Sequence, residues 1–306
     1  MKTKYFSALA FAGAAAFCFG ANADTGKLLL TGGVSSVDGS AGGGLTPWAV
    51  IGTNATDDEI GGSAHFSHLG TKDYGLNFYG ATVGVKDRFE LSIAQQDLNT
   101  RSTLAGLGLP GLHLKQTIVG IKVKVAGDAV LDSDSLMPQI ALGAQYKTLG
   151  DTGLSPTLDA LGAKRSGVDL YASATKLFLA QGLLLNATLR ATKANQNGLL
   201  GYGATLGGAE TRYSLQPEFS IGYLLSKNLV VGAEYRTMRN KLTKAGTAAG
   251  FPDGFRASDW KDIFVAWAPT KNVSLTLAYV DLGVVVPATT ASRKQQGVYA
   301  SAQLAF

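Results

Sequence analysis

The chain has 306 residues, 27 Lys+Arg against 22 Asp+Glu, 39 glycines and one cysteine. A net charge of +5 on this length is too small to imply a nucleic-acid partner. The lone Cys18 provides no disulfide framework, and the glycines follow no collagen-like period of three.

The first 23 residues read as a secretory signal peptide. Lys2 and Lys4 form the positive end, Ala8 to Phe19 the apolar run, and Ala21-Asn22-Ala23 a small-x-small cleavage site. Removal of this segment leaves 283 residues, takes Cys18 away and lowers the net charge to +3. Beyond it no run of eighteen apolar residues occurs, so no transmembrane helix is expected.

Residues 24–60 are rich in glycine and lack clean alternation, with Gly32-Gly33, Gly42-Gly43-Gly44 and an isolated Trp48. They read either as a periplasmic leader or as a partial plug of a barrel mouth anchored by Trp48. A third reading makes 28–34 and 46–52 two further strands. Asp57-Asp58-Glu59 reads as a solvated acidic turn and not as a cation site.

From residue 61 onward the chain alternates with period two. Val119, Ile121, Val123 and Val125 share one face and Lys122 and Lys124 the other; Leu183, Leu185, Ala187 and Leu189 oppose Asn186, Thr188 and Arg190. Successive side chains of a strand point to opposite faces, so each such run is a strand with one apolar face. The runs reach about ten residues, the length that crosses a bilayer at a tilt. Their second faces are polar, as in a membrane barrel with lipid outside. Tyr146, Tyr235, Trp267 and Tyr279 sit near the ends of apolar faces, as interfacial girdles do.

Twelve strands are expected, at 62–69, 74–86, 89–98, 116–126, 138–147, 167–177, 183–194, 216–225, 229–238, 260–268, 273–280 and 296–306. The fold class is an all-β transmembrane antiparallel barrel, with fourteen strands as the alternative. Long connections fall on one side and short turns on the other; the connection at 70–73 is short where a loop is expected, and 199–208 could extend a strand or pair within a loop. Ile121→Arg is expected to cost roughly 2–4 kcal/mol and Lys122→Ala much less, if the faces are right.

The polar faces place Glu90, Lys122, Lys124, Lys147, Asp169, Arg190, Glu218, Glu234 and Arg236 in the lumen. These charges either line a narrow path for small solutes or pair across a filled interior. The glycine runs lack a phosphate-loop lysine, and no zinc-protease helix motif occurs, so no cofactor or metal is called for. His65 and Ser67 share a strand face and could act as base and nucleophile, with Glu90, or less plausibly Asp73, as the orienting acid. This arrangement is similar to that of lipid A deacylases, which are smaller outer-membrane barrels with a lipid-facing site. It is the weakest of the three functional readings.

The last strand ends in Phe306, with Leu304, Ala302, Ala300 and Val298 on its face. It resembles the C-terminal signature of bacterial outer-membrane proteins, which implies the barrel assembly machinery as a partner and places lipid and lipopolysaccharide around the barrel. Gly26-Lys27-Leu28-Leu29-Leu30-Thr31-Gly32-Gly33-Val34 and Gly43-Gly44-Leu45-Thr46-Pro47-Trp48, with the barrel behind them, resemble an uncharacterised family of proteobacterial outer-membrane proteins, a domain of unknown function. That resemblance implies the cell outer membrane and the barrel fold, and assigns no catalytic or ligand residues. The oligomeric state is not legible.

Overall fold

The computed structural model describes residues 27, 29–128 and 136–306. The signal segment, and Leu28 of the short apolar run, lie outside the described residues.

Two short strands come first, β1 (Val34–Ser35) and β2 (Ala41–Gly42), paired only with each other. Twelve long strands follow: β3 (Ile60–Thr71), β4 (Gly75–Val85), β5 (Phe89–Asn99), β6 (His113–Ala126), β7 (Gln139–Leu149), β8 (Ser166–Phe178), β9 (Leu183–Thr192), β10 (Ser214–Ser226), β11 (Leu229–Arg236), β12 (Trp260–Thr270), β13 (Val273–Asp281) and β14 (Gln296–Ala305). Each pairs antiparallel with its sequence neighbours, and β14 returns to β3 from Gly297↔Thr71 to Ala305↔Ser63, closing the barrel. Closure removes the two edges that an open sheet would expose, which a bilayer does not tolerate.

The count is twelve and not fourteen. Residues 29–34 and 46–52 supply no barrel strand: Val34 pairs only with Gly42 in the β1–β2 ladder, and 46–52 joins no strand of the wall. Between the two stretches the chain packs closely on itself: a Cβ at Gly42 would stand 1.9 Å from the Thr46 carbonyl oxygen. The expected strands otherwise match to within a few residues at each end.

The alternation sorts the two faces as physical chemistry requires. Val119, Ile121, Leu142, Leu170, Leu189, Phe219, Ile221 and Leu277 stand exposed on the outer wall. No water competes for the backbone there, so the closed ladder and an apolar exterior define a membrane-spanning barrel. Tyr146, Tyr235 and Tyr279 face outward near the long-loop end, and Trp267 near the turn end. Connections 100–112, 150–165, 193–213, 237–259 and 282–295 are long and share one end with the short 72–74. Connections 86–88, 179–182, 227–228 and 271–272 are short and lie at the other end, with 127–138 beside them. The three register shifts, at Lys124/Ala126, Leu224/Ser226 and Trp267/Thr270, all fall at this turn end.

Inside, side chains fill the wall. Gly143 leaves room for the Tyr171 ring, where a Cβ would stand 2.2 Å from its Cζ. The inner face of β12, β13, β14, β3 and β4 is largely apolar toward the loop end, with Leu69, Leu76, Phe78, Trp260, Phe264 and Tyr299 in one cluster. The inner face of β5 to β11 carries most of the buried charge.

Candidate functional site: the filled lumen

Residues 34–52 lie inside the barrel and are buried throughout. We call them the plug, for their position. Their backbone hydrogen bonds are internal: Val37 N–H to Gly44 O at 2.7 Å, Ser36 N–H to Ser40 O at 2.8 Å, Trp48 N–H to Ala41 O at 3.0 Å. Among the described residues no main-chain bond joins 34–52 to a barrel strand. The wall grips the plug with side chains instead.

Every polar group of the plug backbone that faces the wall must find a partner there. Glu90 accepts from Ala41 N–H at 3.1 Å and Gly52 N–H at 3.0 Å. Lys122 Nζ donates to Val50 O at 2.8 Å and Ala41 O at 3.1 Å, and stands 3.0 Å from Glu90. Glu234 accepts from Leu45 N–H at 2.6 Å and Thr46 N–H at 3.2 Å. The Pro47 carbonyl accepts from Thr188 at 2.7 Å. Trp48 is 4 % exposed, and its Nε1–H donates to Ser220 Oγ at 2.9 Å.

At the centre stands Asp38, fully buried. Its Oδ1 accepts from Lys147 at 3.0 Å and Asn197 at 2.8 Å; its Oδ2 lies 3.1 Å from Arg236 and 3.3 Å from Arg190. The three cations also meet wall carboxylates. Lys147 is 3.0 Å from Asp169, and Arg190 Nε is 2.6 Å from Glu218. Arg236 Nε is 3.4 Å from Glu218. Three acids and three bases therefore form one neutral cluster, and the plug contributes one of its six members. Burial works against the ionised Asp38, which belongs to the plug and not to a spanning strand. The charges of Lys147, Arg236 and Arg190 more than offset this and hold its carboxyl well below the usual range.

A second element reaches the cluster from the loop end. Within 193–213 the chain dips inward, with Gln196 and Asn197 at positive φ. Asn197 Oδ1 accepts from Lys147 at 2.9 Å, and its carbonyl accepts from Gln116 at 3.1 Å. The segment 199–208 extends no strand: Tyr202 pairs with Ala194 in the same loop and with Lys164 of the neighbouring connection 150–165. The lumen is thus filled from both ends, meeting at Asp38. Two enclosed spaces against the plug are small, one of about 30 Å³ and one of about 20 Å³.

The structure brings Lys147, Asp169, Arg190, Glu218 and Arg236 together, with Glu90 and Lys122 as a separate pair. Glu234 bonds the plug and its wall neighbour Ser220, and no cation. Lys124 stands at the turn-side rim and bonds Asp87 at 2.6 Å; Asp87 also pairs with Lys27, whose Nζ donates to Ile51 O at 2.9 Å. Asp38 and Asn197 escape sequence reasoning because both sit outside the alternating runs. Asp262 is absent from the expected lumen charges although its parity puts it there: it alternates with Ile263, Val265 and Trp267 and so faces inward with Trp260 and Phe264.

The structure does not join His65, Ser67 and Glu90 by hydrogen bonds. His65 and Ser67 are buried inside the barrel, away from lipid, and neither His65 ring nitrogen has a hydrogen-bond partner. Ser67 Oγ donates to Ser301 at 2.8 Å and accepts from Tyr299 at 3.0 Å, while Glu90 is committed to Lys122 and the plug. Asp73 bonds Arg293 at 3.0 Å on the loop side. Among the described residues no group of three His, Cys, Asp or Glu is placed to hold a metal ion.

A closed antiparallel barrel with an apolar outer belt and a polar lumen is the architecture of outer-membrane β-barrels. The family described as "Protein of unknown function (DUF3034)" matches residues 31–303, and the chain belongs to it. No curated protein matches. Among solved structures the chain is similar to the NanC porin, with 8 % identity, 80 % of this chain and 100 % of that chain covered and a TM-score of 0.51. It is also similar to an outer membrane channel from Pseudomonas putida F1 (12 % identity, 83 % and 97 % covered, TM-score 0.46) and to outer membrane phospholipase A from Escherichia coli (11 %, 79 % and 92 %, 0.41). The likeness to the NanC porin shows a shared fold. The chain is an outer-membrane β-barrel.

Proposed function

We propose that the barrel passes small solutes across the outer membrane, and that the plug closes it between passages. The observation that carries this reading is the bonding of the plug. It is a self-hydrogen-bonded unit held by wall side chains alone, so it can shift without unzipping a strand. A segment meant only to complete the wall would be joined to it by a ladder, as every barrel strand is.

Planar-bilayer conductance of the refolded protein tests the proposal. Deletion of 26–52 is the informative variant. It spares Asn54, whose Nδ2 donates to Ala305 O at 2.9 Å and so ties the start of β3 to the end of β14. The deleted protein should refold and conduct well above the intact one. A second reading, a structural barrel with a permanently filled interior, is favoured by the small residual cavities. Refolding of the deleted protein with no rise in conductance would select it.

A further inference from the structure

We infer that connection 193–213 is a latch on the plug, worked from the loop end, the extracellular side of an outer-membrane barrel. The wall groups that hold the plug, such as Glu90, Lys122, Lys147 and Arg236, stand on barrel strands. Asn197 stands on a loop. Its Nδ2 donates to Asp38 at 2.8 Å, and its Oδ1 accepts from Lys147 at 2.9 Å. This hold on the plug can be withdrawn without moving a strand of the wall.

The preceding residue bonds in the other direction. Gln196 Nε2 donates to Phe255 O at 2.9 Å and to Val285 O at 3.1 Å. These carbonyls belong to connections 237–259 and 282–295, so one side-chain amide ties 193–213 to two other loops. Adjacent residues thus join the loop layer to the centre of the lumen, with a single peptide bond between them. A loop that only covered the mouth would end its bonding in the loop layer.

The turn that presents both side chains is held against the preference of the backbone. Gln196, Asn197 and Gly198 have φ of 43°, 59° and 98°. Asparagine and glycine enter the left-handed region readily, and glutamine does not. A Cβ at Gly198 would meet Tyr202 Oη and Gln116 Oε1, so the turn is also closely packed. Such a conformation persists because its surroundings over-determine it. When the loops let go of Gln196, the turn relaxes and Asn197 leaves Asp38. The three acids and three bases of the cluster still balance, so unlatching strands no ion and gives up two hydrogen bonds. Movement of the loop layer therefore lowers the cost of undocking before any charge pair is broken. The latch deepens the passage reading by naming where release is controlled, and its part in gating rests on that reading.

The test is hydrogen–deuterium exchange of the refolded protein, read on peptides from the plug, from 193–213 and from the barrel strands. Protection of the plug amides reports the equilibrium between docked and released plug. Asn197→Gly keeps the left-handed turn and removes the side chain. It should lower plug protection about tenfold or more, the loss of two hydrogen bonds to charged groups. Gln196→Glu removes both donated hydrogens and touches neither plug nor wall, so it separates a latch from a passive loop. It should lower plug protection at least about fivefold, with the barrel strands unchanged in both variants. If the Gln196→Glu chain does not refold, Gln196→Met, similar in length and without the donor, takes its place. Unchanged plug protection in Asn197→Gly, or faster exchange of 193–213 in Gln196→Glu with the plug as protected as before, would overturn the latch and leave passage standing. Because exchange is read without conductance, a plug that unlatches in a protein that never conducts refutes passage alone.

Discussion

Asp38→Asn should release the plug while leaving the barrel intact. The substitution removes one anion from a buried cluster of three acids and three bases, leaving Lys147, Arg190 and Arg236 facing only Asp169 and Glu218. Removing one partner of a buried ion pair costs about 3–5 kcal/mol, because the remaining charge is uncompensated. In a wall residue that cost would fall on the barrel. Asp38 is on a segment bonded to the wall by side chains alone, so the strain is relieved when the plug leaves and water reaches the cations. The docking equilibrium should therefore fall by a factor between about one hundred and a few thousand. The barrel transition, set by twelve ladders that do not involve residue 38, should move by under about 1 kcal/mol.

Two readouts separate the effects. With Trp48 as the sole tryptophan, aqueous quenchers should reach it in Asp38→Asn and not in the parent, where Trp48 is buried against Ser220. Heat-modified migration and thermal unfolding report the barrel. If Trp48 stays protected while the barrel loses several kcal/mol, the cluster is a structural core and the reasoning fails. If neither changes, the ion pairs carry no net docking energy.

The pH dependence of docking follows from the depressed Asp38 carboxyl. Its contribution is full above the ordinary carboxylate value of 3.8 and is lost as pH falls toward its lower value in the cluster, so Trp48 protection should be flat from neutral pH to about 5 and decline only in stronger acid. Ile121→Arg should cost the barrel roughly 2–4 kcal/mol from the lipid face, measured by refolding in lipid. Lys122→Ala is not the mild change the alternation suggests, since it strands Glu90 without its cation and unbonds two plug carbonyls; a loss of about 3–5 kcal/mol, divided between plug and wall, is expected. Gly42→Ala should expose Trp48 without unfolding the barrel, because the added Cβ meets Thr46 O and Pro47 Cα inside the plug. Phe306→Ala should lower assembly in cells more than refolding in vitro if, as proposed, the last strand is the handle for the assembly machinery; equal losses would assign Phe306 to stability alone.

The barrel was legible because lipid enforces a simple rule. Ile121 and Lys122 must point opposite ways, and a period of two sustained over ten residues suits a strand with lipid on one face and a polar lumen on the other. The rule ends where lipid does. The plug faces protein on all sides, so its pattern is set by which wall atoms each residue meets, and those lie far away in sequence: Asp38 meets Lys147, Arg190 and Arg236, and Ser35 N–H meets Gln303 Oε1 at 2.6 Å. Glycine clusters announced an irregular segment but not its place. Asn197 was hidden likewise in a stretch with no periodicity. The wall charges could be placed on the lumen face from parity alone, but parity cannot tell pairing across a lumen from lining a path.

The way the plug is held reconciles a filled lumen with a channel. A polar wall must satisfy its own charges and the backbone of whatever fills it. Here Glu90, Lys122, Glu234 and Arg236 serve both needs, each bonding plug backbone and, except for Glu234, an opposite charge. When the plug moves, water can replace it at every one of these groups, since side-chain charges rehydrate readily and backbone ladders remain closed. The cost of opening is then concentrated in the Trp48, Val50, Leu177 and Leu184 cluster at the turn end, which has no such substitute, and in the Asp38 charges at the centre, whose mutual attraction water replaces only in part. Glu234 is the exception among the wall charges. Among the described residues it has no ion-pair partner to return to when the plug tip leaves, so its bonds from the Leu45 and Thr46 N–H groups must be replaced by water alone.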